Sequence, residues 1–208
     1  MYDLIIKNCS VMMPDFSIKK EQDILIQDSF IMKITDDGYE SKEVLNGKNK
    51  LVMPGLVDGH THTCQQLLRG RTANEYPMVW TRILVPYESS LTPEDCYWSA
   101  KLACLEMIKS GTTAFAESGS THMGDVANAV IESGMRAALA RSTMDIGDAI
   151  PDCMKESSEL NILHTEALYD KYQGTGDGRV DIWFAIRQVM TCSPELIREI
   201  GKEARRLK

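Results

Sequence analysis

The chain has 208 residues, 43% apolar and 25% charged, enough for one sizeable hydrophobic core and a second small one. Its 30 acidic and 23 basic residues give a net charge of −7, which disfavours nucleic acid and anionic membrane as partners. No stretch approaches the roughly 18–20 consecutive apolar residues of a membrane span, and charges interrupt the N-terminal MYDLIIKNCS too early for a signal peptide. The six cysteines (9, 64, 96, 104, 153 and 192) form no CxxC pair, so they read as reduced thiols and the chain as a soluble, cytoplasmic protein.

In chain order, residues 1–52 read as short strands. YDLIIKN and DILIQDSFIMKIT alternate or cluster apolar residues and are broken by turn residues at Asp28-Ser29 and Asp36-Asp37-Gly38. From residue 53 to 208 strand candidates alternate with helices. LVMPGLVDG is the first strand, and a helix over 93–109 follows a long connection. That helix has Thr92 as N-cap, Pro93 in its first turn and Gly111 to end it. Its core stripe is expected to be Trp98, Leu102, Leu105 and Ile108. TTAFAE (112–117), MRAALAR (135–141) and VDIWFAI (180–186) read as three more strands. Helices are expected over 124–133, over about 152–172, and after Ser193-Pro194. Four β/α units of this kind predict a parallel sheet with right-handed crossovers. No Gly-rich phosphate loop follows the first strand, which argues against a nucleotide-binding doubly wound domain.

His60-Thr61-His62 stands there instead. Alternate residues of a strand share a face, so both imidazoles can project together from the strand's carboxyl end. That end is where barrel active sites form. The pair makes half of a zinc-type site, because a catalytic zinc needs about three protein ligands and an open position for water.

VMPGLVDGHTHTCQQLLRG resembles the metal-binding first strand of the amidohydrolase superfamily, in the branch of cytosine-, adenosine- and guanine-type deaminases and triazine chlorohydrolases. The likeness continues through SSLTPEDCYWSAKLACLEMIKSGTTAFAE, GMRAALAR and TCSPELIREIGKEARRL. It implies an α/β fold: the first half of a metal-dependent (β/α)8 TIM barrel, preceded by part of a small β-sandwich domain. It also implies one divalent metal, zinc or else iron, with His60 and His62 as ligands. The remaining ligands and the general acid/base glutamate are expected beyond residue 208, so no catalytic residue falls in this chain. The chain alone is then expected to be inactive, and to form a homo-oligomer or associate with a complementary half. A half-barrel acting only by such assembly is the non-catalytic alternative.

The resemblance implies a small-molecule substrate, a nitrogen heterocycle such as an oxopurine, pterin or adenosine derivative; triazine dechlorination is the alternative. Gln65 matches a glutamine of guanine deaminases and triazine chlorohydrolases. Arg187 stands where guanine deaminases have an arginine and adenosine-type members commonly a histidine, and could donate two hydrogen bonds to a ring carbonyl. Trp80, in the long loop after the first strand, could stack on a flat ring. Glu117 either faces the pocket or supports a ligand from behind. His122 could approach the pocket, His164 reads as solvent-facing, and Cys64 as packing.

Overall fold

Alternating apolar and polar residues build the N-terminal strands: β1 (Tyr2–Met12), β2 (Ile18–Gln27), β3 (Phe30–Thr35), β4 (Ser41–Asn46) and β5 (Leu51–Val52). They form one sheet in the order β3-β2-β1-β4, with β5 also on β1. Asp28 and Ser29, both at positive φ (48° and 67°), make the tight β2–β3 hairpin. Ile5, Cys9, Val11, Ile24 and Leu25 are the buried apolar residues of the sheet. The computed structural model describes residues 1–207. Within them this unit holds a single sheet layer rather than the two facing layers of a sandwich. The chain divides into two units, Met1–Gly55 and Leu56–Lys208.

The second unit is a mixed α/β structure. Its sheet consists of β6 (Leu56–Thr61), β7 (Thr112–Ser120), β8 (Arg136–Arg141) and β9 (Val180–Trp183), all parallel and in sequential order. Strand order never reverses, unlike in a doubly wound sheet. Helices α1 (Val85–Ser90) and α2 (Pro93–Ser110) follow β6. Then come α3 (Met123–Ser133), α4 (Ser158–Tyr172), the single turn α5 (Thr175–Gly178) and α6 (Pro194–Arg206). Helix starts are where local chemistry places them. Thr92 and Asp95 form a reciprocal capping box on α2, and Ser193 Oγ accepts from the Leu196 N–H at 3.1 Å on α6. Gly111 ends α2 at φ 84°, a left-handed conformation that costs glycine little.

Three expectations need correction. The single helix over 152–172 is a short turn, Asp152–Met154, followed by an extended Lys155 and a restart at Ser158. Asp145 organises the break: its carboxylate accepts from the Ser193 N–H at 2.7 Å and the Ser158 hydroxyl at 3.2 Å, tying this loop to both α4 and α6. The fourth strand ends at Trp183 rather than 186, because the chain then turns to β8's loop. There the Thr143 hydroxyl donates to the Ala185 carbonyl and the Arg187 N–H to the Thr143 carbonyl.

The third correction concerns α2. Trp98, Leu105 and Ile108 are half or more exposed, and the buried face is Cys96, Ser99, Ala100, Ala103 and Cys104. Small side chains let the helix lie close against the sheet, where Phe115, Ala127 and Val130 fill the core beside them. Ser99 adds a direct link, donating to the Thr63 carbonyl at 2.7 Å just after the histidine pair. Among the described residues no helix is long and apolar enough to cross a membrane. We predict that Ala100→Leu, which overpacks this face, costs about 1–3 kcal/mol in urea unfolding. Leu105→Ala on the outer stripe should stay within about 0.5 kcal/mol.

Candidate active site

The carboxyl end of β6 carries His60 and His62 side by side, ring centroids 5.1 Å apart and planes nearly perpendicular. Both border a cavity of about 350 Å³. His60 is exposed, and its Nδ1 lies 3.0 Å from the Ser118 hydroxyl on β7. His62 is mostly buried. Burial first, then the nearby Arg187 guanidinium, push its pKa down to about 4, so the ring is neutral near pH 7. Neutral imidazole is the form that binds a metal.

Behind His62 sits Glu117, at the cavity's inner wall and fully buried. Its Oε2 accepts from both the N–H and the hydroxyl of Thr63, at 2.7 and 2.5 Å. Its Oε1 lies 3.8 Å from His62 Nδ1 and has no hydrogen-bond partner. Burial pushes this carboxyl up to about 7, while the two Thr63 bonds pull the other way. Arg187 Nη1 is also 3.3 Å from His62 Nδ1, but it makes its shorter bond, 2.7 Å, to the Gly119 carbonyl. A proton on His62 Nδ1 would face the orphaned Glu117 oxygen and leave Nε2 free as a ligand, the carboxylate–histidine pairing of metal sites.

A second buried carboxylate was not singled out in the sequence. Glu88, in α1, is 2% exposed, and its Oε1 accepts from Arg187 Nη2 at 2.7 Å and from Gln65 Nε2. Its Oε2 is buried without a partner. Removing one member of such a buried pair strands the other charge and costs about 3–5 kcal/mol. The signal was an acid closing the apolar run ILVPYE; its partner lies 99 residues away. Two of Arg187's donor groups are thus held by Gly119 and Glu88, with its side chain 4% exposed at the cavity wall. Gln65 and Trp80 also line the cavity, as do Trp183 and Ser118.

The other candidates lie elsewhere. His122 Nε2 is 3.0 Å from the Leu91 carbonyl, away from this cavity. His164 is exposed and contacts Glu156 at 3.0 Å, and Cys64 packs in the core at 0% exposure. Among the described residues no group of three or more His, Cys, Asp or Glu could hold a metal ion. The donor set therefore fits a metal in kind, with two imidazoles and a carboxylate behind one of them, but supplies two ligands where zinc takes three or four.

Fold and site together define a mixed α/β protein of the kind seen in amidohydrolase TIM-barrel enzymes, with two cavity-lining histidines at the carboxyl end of its first parallel strand. The chain belongs to the Amidohydrolase family, whose model matches residues 51–208. It is 36% identical over 98% of its length to a 5-methylthioadenosine/S-adenosylhomocysteine deaminase of Carboxydothermus hydrogenoformans, covering 46% of that protein. It is also 36% identical, over 99% of its length, to a 5'-deoxyadenosine deaminase of Methanosarcina acetivorans, covering 47% of it. The chain thus spans about half the length of these curated relatives. Among solved structures it is similar to an atrazine chlorohydrolase from Arthrobacter aurescens TC1 complexed with zinc. There the TM-score is 0.88 at 21% identity, over 98% of this chain and 51% of that one. A guanine deaminase from C. acetobutylicum with bound guanine matches at TM-score 0.86 and 23% identity, over 97% of this chain and 50% of that one.

The arrangement around His62 yields a prediction. Glu117→Gln should weaken zinc binding by roughly 10–100-fold, as loss of a partner behind a ligand does. Competition against a chromogenic chelator measures it; unchanged affinity would remove Glu117 from the metal's support.

Proposed function

We propose that these residues belong to a metal-dependent aminohydrolase that removes an amino group from a nitrogen heterocycle of purine type. The observation that carries this reading is the His60–His62 pair at the carboxyl end of β6, bordering a cavity of ring-sized volume. Family membership and the deaminase relatives support it. The fold we infer for the whole enzyme is a (β/α)8 barrel, of which β6 to β9 are the first four strands, with the N-terminal sheet part of a small β-sandwich. His60 and His62 would hold one divalent metal, zinc by analogy with the zinc-bound neighbour. Such an ion, when bound, lowers the pKa of its water so that hydroxide is available near neutral pH.

The chain's own residues would do the rest. Trp80 offers a ring face for stacking a flat heterocycle. Gln65 and Arg187 border the same space, and the Glu88 carboxylate holds both in place. A guanidinium fixed this way fits an oxygen-bearing ring, whereas the 36% identical relatives are named for adenine nucleosides. We place the substrate among aminopurines and their nucleosides, with pterins as the wider class. The 208-residue chain alone, with two ligands, is inactive in this reading and works as part of an oligomer or with a complementary half. Six free thiols, five of them buried, suit a reducing cytoplasmic setting.

The test is ammonia release from guanine, adenosine, 5'-deoxyadenosine, 5-methylthioadenosine and a pterin. It uses the chain both alone and joined to the continuation of its reading frame. The expected result is no turnover alone, turnover of one purine class in the longer form, and its loss in His60→Ala and His62→Ala. Activity that survives both substitutions would overturn the proposal.

A further inference from the structure

His62 has the Glu117 carboxylate behind it, 3.8 Å from Nδ1. His60 has no such acid: among the described residues its ring makes one side-chain hydrogen bond, between Nδ1 and the Ser118 hydroxyl at 3.0 Å. Two irregularities in the sheet bring these side chains together. Between the pairs Asp58–Phe115 and Thr61–Glu117, β6 carries one residue more than β7, so the chain bulges at Gly59 and His60. Between Glu117–Leu139 and Ser120–Arg141, β7 carries one residue more than β8, at Ser118 and Gly119.

Each bulge has a local device that holds it. Asp58 ties the first, its carboxylate accepting from the His60 N–H at 3.1 Å. Glycine permits the second: Gly119 sits at φ 115°, and a Cβ there would lie 2.9 Å from the Ser142 Cα. Bulges beside active sites re-aim side chains. Here the re-aimed residues, His60 and Ser118, meet, and both border the same cavity.

The chemistry of a hydroxyl suits the place. Ser118 Oγ has two lone pairs and one proton, so it can accept from a ring N–H. A histidine that ligates a metal through Nε2 carries its proton on Nδ1, and that N–H would find Ser118 Oγ at hydrogen-bond distance. Without the hydroxyl, no side chain among the described residues engages Nδ1, and the exposed ring is left to sample its rotamers. A ligand side chain that has to be immobilised on binding lowers the affinity of its site.

We propose that Ser118 is a positioning residue for His60: its hydroxyl fixes the ring through Nδ1 and so reserves Nε2 for the metal. The inference rests on the metal-site reading above and extends it to the other histidine, whose support is a neutral hydroxyl where His62 has a carboxylate.

Three proteins test it: the chain as isolated, Ser118→Ala, and Ser118→Thr, which keeps the hydroxyl. In the metal-free chain, NMR three-bond couplings at His60 should report one rotamer, averaged in Ser118→Ala and single again in Ser118→Thr. His62 should keep one rotamer in all three. In zinc titrations against a chromogenic chelator, Ser118→Ala should bind roughly tenfold more weakly, the lower end of the effect of losing a partner behind a ligand. Ser118→Thr should bind as the unsubstituted chain does. The zinc-loaded chain should show an Nδ1 proton on His60 protected from solvent exchange, and Ser118→Ala should lose that protection. A single His60 rotamer in Ser118→Ala, zinc affinity unchanged by that substitution, or affinity equally weak in Ser118→Thr would overturn the proposal. If the unsubstituted chain binds no zinc, the metal-site reading falls, and the rotamer comparison alone decides whether Ser118 fixes His60.

Discussion

The geometry of the histidine pair depends on one buried carboxylate. Glu117 reaches from β7 to the residue after His62 and takes both the N–H and the hydroxyl of Thr63 on a single oxygen. A strand end is ordinarily a place where a chain can fray. Here the first residue beyond the pair is clamped from one side by Glu117 and from the other by Ser99 of α2, which donates to the Thr63 carbonyl. The two histidines are thus presented on a backbone that cannot drift, as a metal site requires. The cost is a carboxyl group in a fully buried place, offset by the two Thr63 bonds. Its unused oxygen lies on the His62 side, 3.8 Å from the ring's Nδ1.

Around this anchor the charges are arranged in a short chain. Arg187 lies between Glu88 on one side and the Gly119 carbonyl on the other, and its positive charge helps keep His62 neutral. Glu88 in turn holds Gln65, on the turn that follows the histidines. Three sequence-distant segments, the 63–68 turn, α1 and the loop after β9, are thereby locked to one wall of the cavity. Two carboxylate oxygens, one on Glu88 and one on Glu117, remain buried without hydrogen-bond partners. Unanswered buried acceptors are uncommon in folded proteins and concentrate at functional places.

Much of the fold was legible because its signals are local. Thr92 and Asp95, Ser193 and Pro194, Gly111 and Gly134 each mark a helix end through bonds or backbone angles a few residues away. The HxH spacing was legible for the same reason, since two-residue periodicity alone puts both rings on one face. The long-range features were not. Glu88 was not singled out, because its partner Arg187 lies 99 residues away in the sequence. The buried face of α2 was misread because large apolar residues were assumed to point inward. Close packing selected Ala100, Ala103 and Ser99 instead, and left Trp98 and Leu105 facing outward. The break before α4 depends on Asp145 reaching across to Ser193, which no periodicity reveals.

The central claim is that His60 and His62 together form one half of a metal site. X-ray absorption at the zinc edge, on the chain loaded with one equivalent of zinc, tests it most directly. The account predicts two imidazole ligands with zinc–nitrogen distances of about 2.0–2.1 Å, the remaining positions being light oxygen ligands from solvent. Sulfur in the coordination shell at about 2.3 Å, or a shell unchanged when His60 and His62 are both replaced by alanine, would contradict it.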